Sequence, residues 1–244
     1  MRARGFTCAT GARMGGRPVV LKVLSYNLWH GRAQRELESL ITTHSPDILC
    51  VQEAYSSSLP TRLGDLTLAS GTTGNRLAVA LYVRSDRFVV EAAAKVKLSI
   101  SRHDRLVGGT DHRLVTARVH DTQTGRRLVV GSFHGTPFTD SNAFRRLQVD
   151  DAHEALRRLG PGLPTVMAGD YNHPILLSML RRHLKRRGFT VARTATSTFH
   201  KNRSLVRGKF DLATISGFEV SRAEVLPRGA SDHRPVLFSF EYAR

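Results

Sequence analysis

Short apolar runs recur along the chain and repeatedly end on, or follow, a polar residue. Leu21 to Tyr26 runs into Asn27, Asp47 to Gln52 into Glu53, Leu128 to Phe133 into His134, and Thr165 to Ala168 into Gly169-Asp170-Tyr171-Asn172. Leu212 to Ile215 follows Phe210-Asp211, and Pro235 to Phe238 follows Ser231-Asp232-His233. Runs of this length bounded by polar residues predict buried strands. Leu77 to Val83, Phe88 to Val90 and Leu114 to Val119 predict three more, and Asp121-Thr122-Gln123-Thr124-Gly125 makes a hairpin of Leu114–Val119 with Leu128–Phe133. Apolar residues at helical spacing predict helices over Ala33 to Thr43, Ser141 to Leu159 and about Ile175 to Arg187. In the last, Leu176, Leu180 and Leu184 form a stripe while Arg181, Arg182, Lys185 and Arg186 face away. Strands alternating with helices predict an α/β fold of two packed sheets with outer helices.

The polar residues at the strand ends change the picture, because carboxylates placed there converge on one edge of a sheet, where an open α/β fold keeps its chemistry. A glutamate directly after a buried strand is poorly placed for packing and well placed for a metal. Asn27 taken alone reads equally as a turn-former.

Together these segments resemble the endonuclease/exonuclease/phosphatase superfamily. The resemblance is carried by Ser25-Tyr26-Asn27, Val51-Gln52-Glu53, Ser132-Phe133-His134, Ala168-Gly169-Asp170-Tyr171-Asn172, Lys209-Phe210-Asp211-Leu212 and Ala230-Ser231-Asp232-His233-Arg234-Pro235-Val236, in the family's order from about Leu21 to Phe240. It implies a four-layer sandwich of two packed mixed β-sheets flanked by helices, the deoxyribonuclease-I-like fold, and metal-assisted hydrolysis of a phosphate ester. Mg²⁺, with Mn²⁺ as a substitute, is the implied cofactor; its first ligand is Glu53, with Asn27 and Asp232 completing or bracing the site. By the same resemblance Asp170 orients and deprotonates the attacking water, Asn172 donates its amide, Asp211 pairs with His233 so that the imidazolium faces the phosphoryl group, and His134 is a second donor. His30, His44, His103, His112, His120, His153, His183 and His200 are read as surface residues. Leu28 and Trp29 follow Asn27 where many nuclease relatives carry an acid two positions on, Gly135-Thr136-Pro137 follows His134 where the family has a leucine, and Arg145 or Arg146 with Gln148 is a weaker match assigned no catalysis.

Charge narrows the substrate. Lys and Arg number 37 against 20 for Asp and Glu, a formal net of +17, which points to a polyanion. From Tyr171 to Phe210 there is no acid, and Arg181, Arg182, Lys185, Arg186, Arg203 and Lys209 are the candidate substrate contacts. A solvated helix face is the competing reading. The expected activity is a metal-dependent nuclease on DNA or RNA. The alternatives are a phosphatase or phosphodiesterase on phosphoinositide, sphingolipid or other small phosphorylated substrates, with an anionic membrane surface as partner, and a catalytically weak basic nucleic-acid-binding protein. Trp29 reads either as core or as a substrate platform.

With 244 residues and 41% hydrophobic content, the chain can bury one large core, so residues 21–244 are expected to be a single domain and a monomer. Residues 1–20, with Arg2, Arg4, Arg13 and Arg17 and no acid, read as a flexible basic arm in which Met14 is an alternative start. No apolar run approaches the roughly 18–20 residues of a membrane span. Cys8 and Cys50 do not suggest a disulfide framework, so a cytoplasmic setting is expected, with secretion left open.

Overall fold

The computed structural model describes residues 19–73, 77–101, 112–137, 140–173, 177–200 and 207–243. Arg203, the polar loop around Arg102 to Arg105, and residues 1–18 of the basic arm lie outside them. Strands β1 (Val20–Asn27), β2 (Ile48–Tyr55), β3 (Arg62–Leu63), β4 (Leu66–Gly71), β5 (Leu77–Arg84), β14 (Phe218–Val225) and β15 (Val236–Tyr242) form one sheet in the order β14-β15-β1-β2-β5-β4-β3. The second contains β6 (Phe88–Val96), β7 (Leu114–Asp121), β8 (Arg126–His134), β9 (Thr165–Asp170), β10 (Thr190–Ala192) and β13 (Asp211–Ser216), ordered β10-β13-β9-β8-β7-β6. Between β10 and β13, the short strands β11 (Phe199–His200) and β12 (Arg207–Gly208) pair as a ribbon. Helix α1 (Leu37–His44) packs outside the first sheet, and α2 (Asn142–Leu159) and α3 (Leu177–Arg186) outside the second. This is the four-layer α/β sandwich of two mixed sheets expected from the strand pattern and the resemblance.

Three apolar layers hold it together. Between the sheets lie Val23, Cys50, Leu81, Val130, Val166, Phe238 and their neighbours; Leu24, Leu49 and Ile41 pack under α1, and Val129, Leu156, Leu180 and Leu184 under α2 and α3. The central strands are apolar on both faces because each contributes to two of these layers, which is why they read as continuous hydrophobic runs. Each sheet contains one parallel pair, β1 with β2 and β8 with β9, while its other pairings are antiparallel. The carboxyl ends of these four strands carry Asn27, Glu53, His134 and Asp170.

The predicted hairpin is present: Gly125, at φ 66°, donates its N–H to Asp121 O at 2.8 Å, and β7 pairs with β8 from Asp121/Arg126 to Leu114/Phe133. The helix expected from Ala33 opens instead as a single 3-10 turn, Gln34–Glu36, before α1. Helix α2 is capped by Ser141, whose hydroxyl accepts the Phe144 N–H at 3.1 Å.

A buried ionic cluster joins the two sheets away from the strand ends just named. Arg87 makes a bidentate pair with Asp121 (3.1 and 2.8 Å) and reaches Asp47 at 2.9 Å; Arg87 is 2% exposed and Asp121 fully buried.

His153 corrects its reading as a surface residue. It points inward from α2, stacks on Phe189 with ring centroids 3.9 Å apart, and shares a 2.8 Å hydrogen bond with Thr214. Burial, reinforced by the charges of Arg157 and Arg187, lowers its pKa from 6.5 to about 3. The unfolded chain therefore takes up this proton first, so the stability contributed by neutral His153 is complete above about pH 6.5 and is lost as pH falls towards 3. Its contribution to the slope approaches about 1.4 kcal/mol per pH unit. Denaturant unfolding at pH 4.5 and 7.5 is expected to show a smaller difference for His153→Gln than for the native chain; equal differences would assign the acid sensitivity elsewhere.

Candidate active site

Backbone geometry concentrates at the parallel strand ends. In β2 the register with β5 shifts between Val51 and Ala54, and Glu53 takes φ 55°. Trp29, His30 and Gly31 follow β1 with φ 47°, 56° and 72°, and Asn172 follows β9 with φ 47°. Left-handed backbone costs a non-glycine residue on the order of 1–2 kcal/mol, and such residues persist where the surroundings over-determine them. Here hydrogen bonds do so. Trp29 N–H donates to Asn27 Oδ1 at 3.0 Å, His30 N–H to Glu53 Oε2 at 3.1 Å, Gly31 N–H to Glu53 O at 2.8 Å, and Asn172 N–H to Asp170 Oδ1 at 2.9 Å. Gly169 lets β8 and β9 approach closely, because a Cβ there would run into the carbonyl oxygen of Phe133.

The side chains converge across the two sheets. Asn27 Nδ2 donates to Asp170 Oδ2 at 3.0 Å and to Glu53 Oε1 at 3.3 Å, so one amide joins a carboxylate from each sheet. His134 Nε2 is 3.6 Å from Glu53 Oε1 and 3.9 Å from Asp170 Oδ2. Asn172 Nδ2 donates to Asp170 Oδ2 at 3.3 Å and to Gly135 O at 3.2 Å. Asp211 opens β13 directly opposite Asp170 in register and meets His233 Nδ1 at 2.9 Å, while His233 Nε2 lies 3.6 Å from Asp170 Oδ2. His233 packs against Phe199 at 4.9 Å between centroids, and its N–H donates to Ser231 Oγ, whose hydroxyl donates to Asn27 O at 2.7 Å. Asp232 is 9% exposed and accepts the His200 N–H through its main chain. Behind these groups Gln52 Nε2 donates to Ser132 Oγ at 3.0 Å, a buried polar tie between the sheets.

Electrostatics divides the labour. Burial opposes charge on His233, but the carboxylates of Asp211, Asp170 and Asp232 outweigh it and raise its pKa, keeping the imidazole protonated. Burial raises Asp170, against the pull of His233 and with help from the Asp211 and Glu53 charges. Glu53 keeps its charge: burial works against it, yet His134, the Asn27 N–H and His30 hold its carboxyl below the usual range. The cluster thus presents an acceptor of raised basicity at Asp170, a cation at His233 and a charged oxygen donor at Glu53.

Asp170, Asp211 and His233 offer ligand atoms within 4.8 Å of one another, the spacing of a metal site. The proton on His233 competes with a cation for that position, whereas Glu53 faces the same Asn27 amide from outside the group. As placed, Asn27 offers the acids its NH₂ and gives its oxygen to Trp29, so coordination through oxygen requires the amide to turn over.

Other expectations separate here. Arg181, Arg182, Lys185 and Arg186 are exposed on α3, over the buried Leu180 and Leu184. Just past α3, Arg187 O accepts a 2.9 Å hydrogen bond from Arg157 in the last turn of α2, which places the Lys185–Arg186 end beside the start of β9 and away from Asp170. Lys209, two residues before Asp211, is half-buried. His30, read from sequence as a surface residue, lies at the site, its Nε2 3.6 Å from Glu53. Arg145 and Gln148 are buried and shape the loop after His134: Gln148 accepts the Thr136 N–H at 3.0 Å and Arg145 donates to Pro137 O at 3.0 Å. Arg113, not singled out from sequence, is buried and donates to the carbonyls of His134 and Gly135 at 3.1 and 3.0 Å.

The model of the endonuclease/exonuclease/phosphatase family matches residues 24–233, a span that takes in every residue of this cluster. The chain belongs to this family. It is 31% identical over 118 residues to a UPF0294 protein of Vibrio vulnificus, an alignment covering 48% of this chain and 40% of that protein. The chain thus spans less than half the length of this relative. Among solved structures, a Bacteroides thetaiotaomicron mannosyl-6-phosphatase superposes with a TM-score of 0.71 at 18% identity, covering 91% of this chain and 100% of the other. D. rerio TDP2, solved with single-strand DNA product, gives 0.71 at 16% identity, with 91% and 99% covered. These likenesses establish the fold. Among the described residues no helix is long and apolar enough to cross a membrane.

Proposed function

We propose that this protein is a divalent-metal-dependent phosphodiesterase that hydrolyses nucleic acid. The observation that carries the reading is the polarity of the cluster, with a basic carboxylate at Asp170 and a protonated imidazole at His233 3.6 Å apart. Asp170 takes a proton from the attacking water, and Asn172, held to the same carboxylate, fixes its direction. His233, braced by Asp211, sets positive charge against the phosphoryl oxygens as the bond from phosphorus to the leaving oxygen breaks. His134, 3.6 Å from Glu53 and 3.9 Å from Asp170, is a second donor.

The residues fit a hard cation. Glu53 and Asp170 turn oxygens towards one N–H donor of Asn27, a position that favours positive charge, and the available donors are oxygens, which suits Mg²⁺. Glu53 would hold it, with Asn27 and Asp232 bracing; when bound it supplies Lewis-acid polarisation and neutralises charge on the departing oxygen. Glu53→Gln is expected to raise the Mg²⁺ concentration for half-maximal rate by at least about tenfold, measured by metal titration of initial rates. An unchanged requirement would move the metal away from Glu53.

The substrate class follows from charge. A formal +17 favours a polymer of phosphates, and an exposed basic row on α3 set away from Asp170 suits a long polyanion better than a single phosphate at the cluster. The test is Mg²⁺-dependent cleavage of end-labelled single- and double-stranded DNA and RNA beside inositol phosphate and sphingomyelin, with chelator and Asp170→Asn controls. Cleavage of polynucleotide, lost in both controls, is expected; headgroup release with intact polynucleotide would overturn the assignment.

A further inference from the structure

We infer that Trp29, His30, Arg32 and Tyr55 form a stacking subsite for a base of the nucleic-acid substrate, an inference that rests on the phosphodiesterase reading above. The main chain of the Trp29-His30-Gly31 turn is committed to the site edge by its hydrogen bonds to Asn27 and Glu53. Its side chains are not committed to the core. Leu28 and Ala33 on either side are fully buried in the layer beneath α1, whereas Trp29 is only half-buried and the His30 side chain is 49% exposed. The chain passes through a well-formed core at this point and leaves its largest side chain at the surface.

Two further features build the same rim. Tyr55, two residues beyond Glu53, is 50% exposed, and its ring packs on Gly31, where a Cβ would stand 2.5 Å from the ring carbons. Gly31 therefore serves both the positive φ of the turn and the seat of Tyr55. The Arg32 guanidinium lies 3.9 Å from the centroid of the Trp29 ring, and Arg32 is the more exposed of the two. The result is an indole, a phenol, an imidazole and a guanidinium on adjoining residues, held by the segment that bonds Glu53.

The chemistry of this rim selects its ligand. Aromatic faces beside a cation bind the π-faces of bases, sequence-tolerantly, through stacking and cation–π attraction. A sugar would bring only C–H groups to these rings and a choline headgroup only a cation, which the Arg32 guanidinium beside them repels, and a bare phosphate would need only the charge; a planar base uses both the ring faces and the guanidinium. The rim adjoins Glu53, so it receives the base of a nucleotide beside the scissile phosphate, and it sets a preference for base-bearing esters over other phosphate esters.

Trp29 is the only tryptophan in the chain, so its fluorescence reports on this rim without background. The full-length Asp170→Asn protein would be titrated with a short single-stranded oligonucleotide and with the same oligonucleotide made abasic throughout. Saturable quenching is expected with the first, and binding of the second at least about fivefold weaker. Tyr55→Leu is expected to weaken the base-bearing ligand by a similar factor and bring the two ligands together. Equal affinity and equal quenching for both oligonucleotides, in a protein that cleaves polynucleotide, would overturn the subsite alone. Failure to cleave polynucleotide in the assay above would remove the activity it rests on and the subsite with it.

Discussion

Asp170→Asn is expected to lower turnover by about 10²–10⁴-fold while leaving substrate affinity nearly unchanged. Asn27 and the Asn172 N–H bond to Asp170 oxygens, and an asparagine keeps one oxygen to accept one of them. What it loses is the capacity to take a proton, which burial has sharpened by raising the Asp170 carboxyl. Burial is the main penalty on the Asp170 charge, with Asp211 and Glu53 adding to it and His233 opposing it, so removing the charge relieves a net cost and the variant should melt at the same temperature as the native chain or higher. Single-turnover hydrolysis, equilibrium binding and thermal melting together test this. Full activity in the variant would refute the role of Asp170 as base, and lost activity with a lowered melting temperature would refute the charge argument.

The largest expected loss of stability is at Arg87. Removing one partner of a buried ion pair leaves the other charge uncompensated, at a cost of about 3–5 kcal/mol, a large fraction of the roughly 5–15 kcal/mol by which domains are stable. Arg87→Met would strand Asp121, which is fully buried and paired through both oxygens, and would free Asp47 from its 2.9 Å contact. Urea unfolding should show that drop, and the double variant Arg87→Met/Asp121→Leu should recover much of it, since a matched apolar pair carries no buried charge. A double variant no more stable than the single would mean that the cost lies in lost packing instead.

The layers and the positions of the candidate site were legible in the sequence for one reason. Central strands buried on two faces must be apolar throughout, so Asn27, Glu53, His134, Asp170 and Asp211 stand out where those runs begin or end. Edge elements lack that contrast. Strand β14 is mostly exposed, and β3, β10, β11 and β12 are two or three residues long, so their segments carry no run to detect. Positive φ at Trp29, His30 and Glu53 is invisible for another reason. It is fixed by hydrogen bonds between segments some two dozen residues apart, and neither Trp nor Glu favours it locally. His30 was hidden by this, because its approach to Glu53 depends on the turn. His153 and Arg113 were hidden by composition: in a chain with 37 Lys and Arg and 11 His, nothing marks the ones that turn inward.

The Asn27 amide touches a carboxylate from each sheet, and His233, carried on the approach to β15, meets Asp211 of the other. The two halves of the proposed reaction centre thus stand on opposite plates of the sandwich, and what holds them at bonding distance is the thickness of the apolar filling between. A displacement of about 1 Å can cost a hundredfold in rate. Residues such as Val130, Val166 and Phe238, which touch no substrate, therefore act as spacers that set the calibration of the machine, and their volumes are constrained by the alignment of catalytic atoms as well as by cohesion.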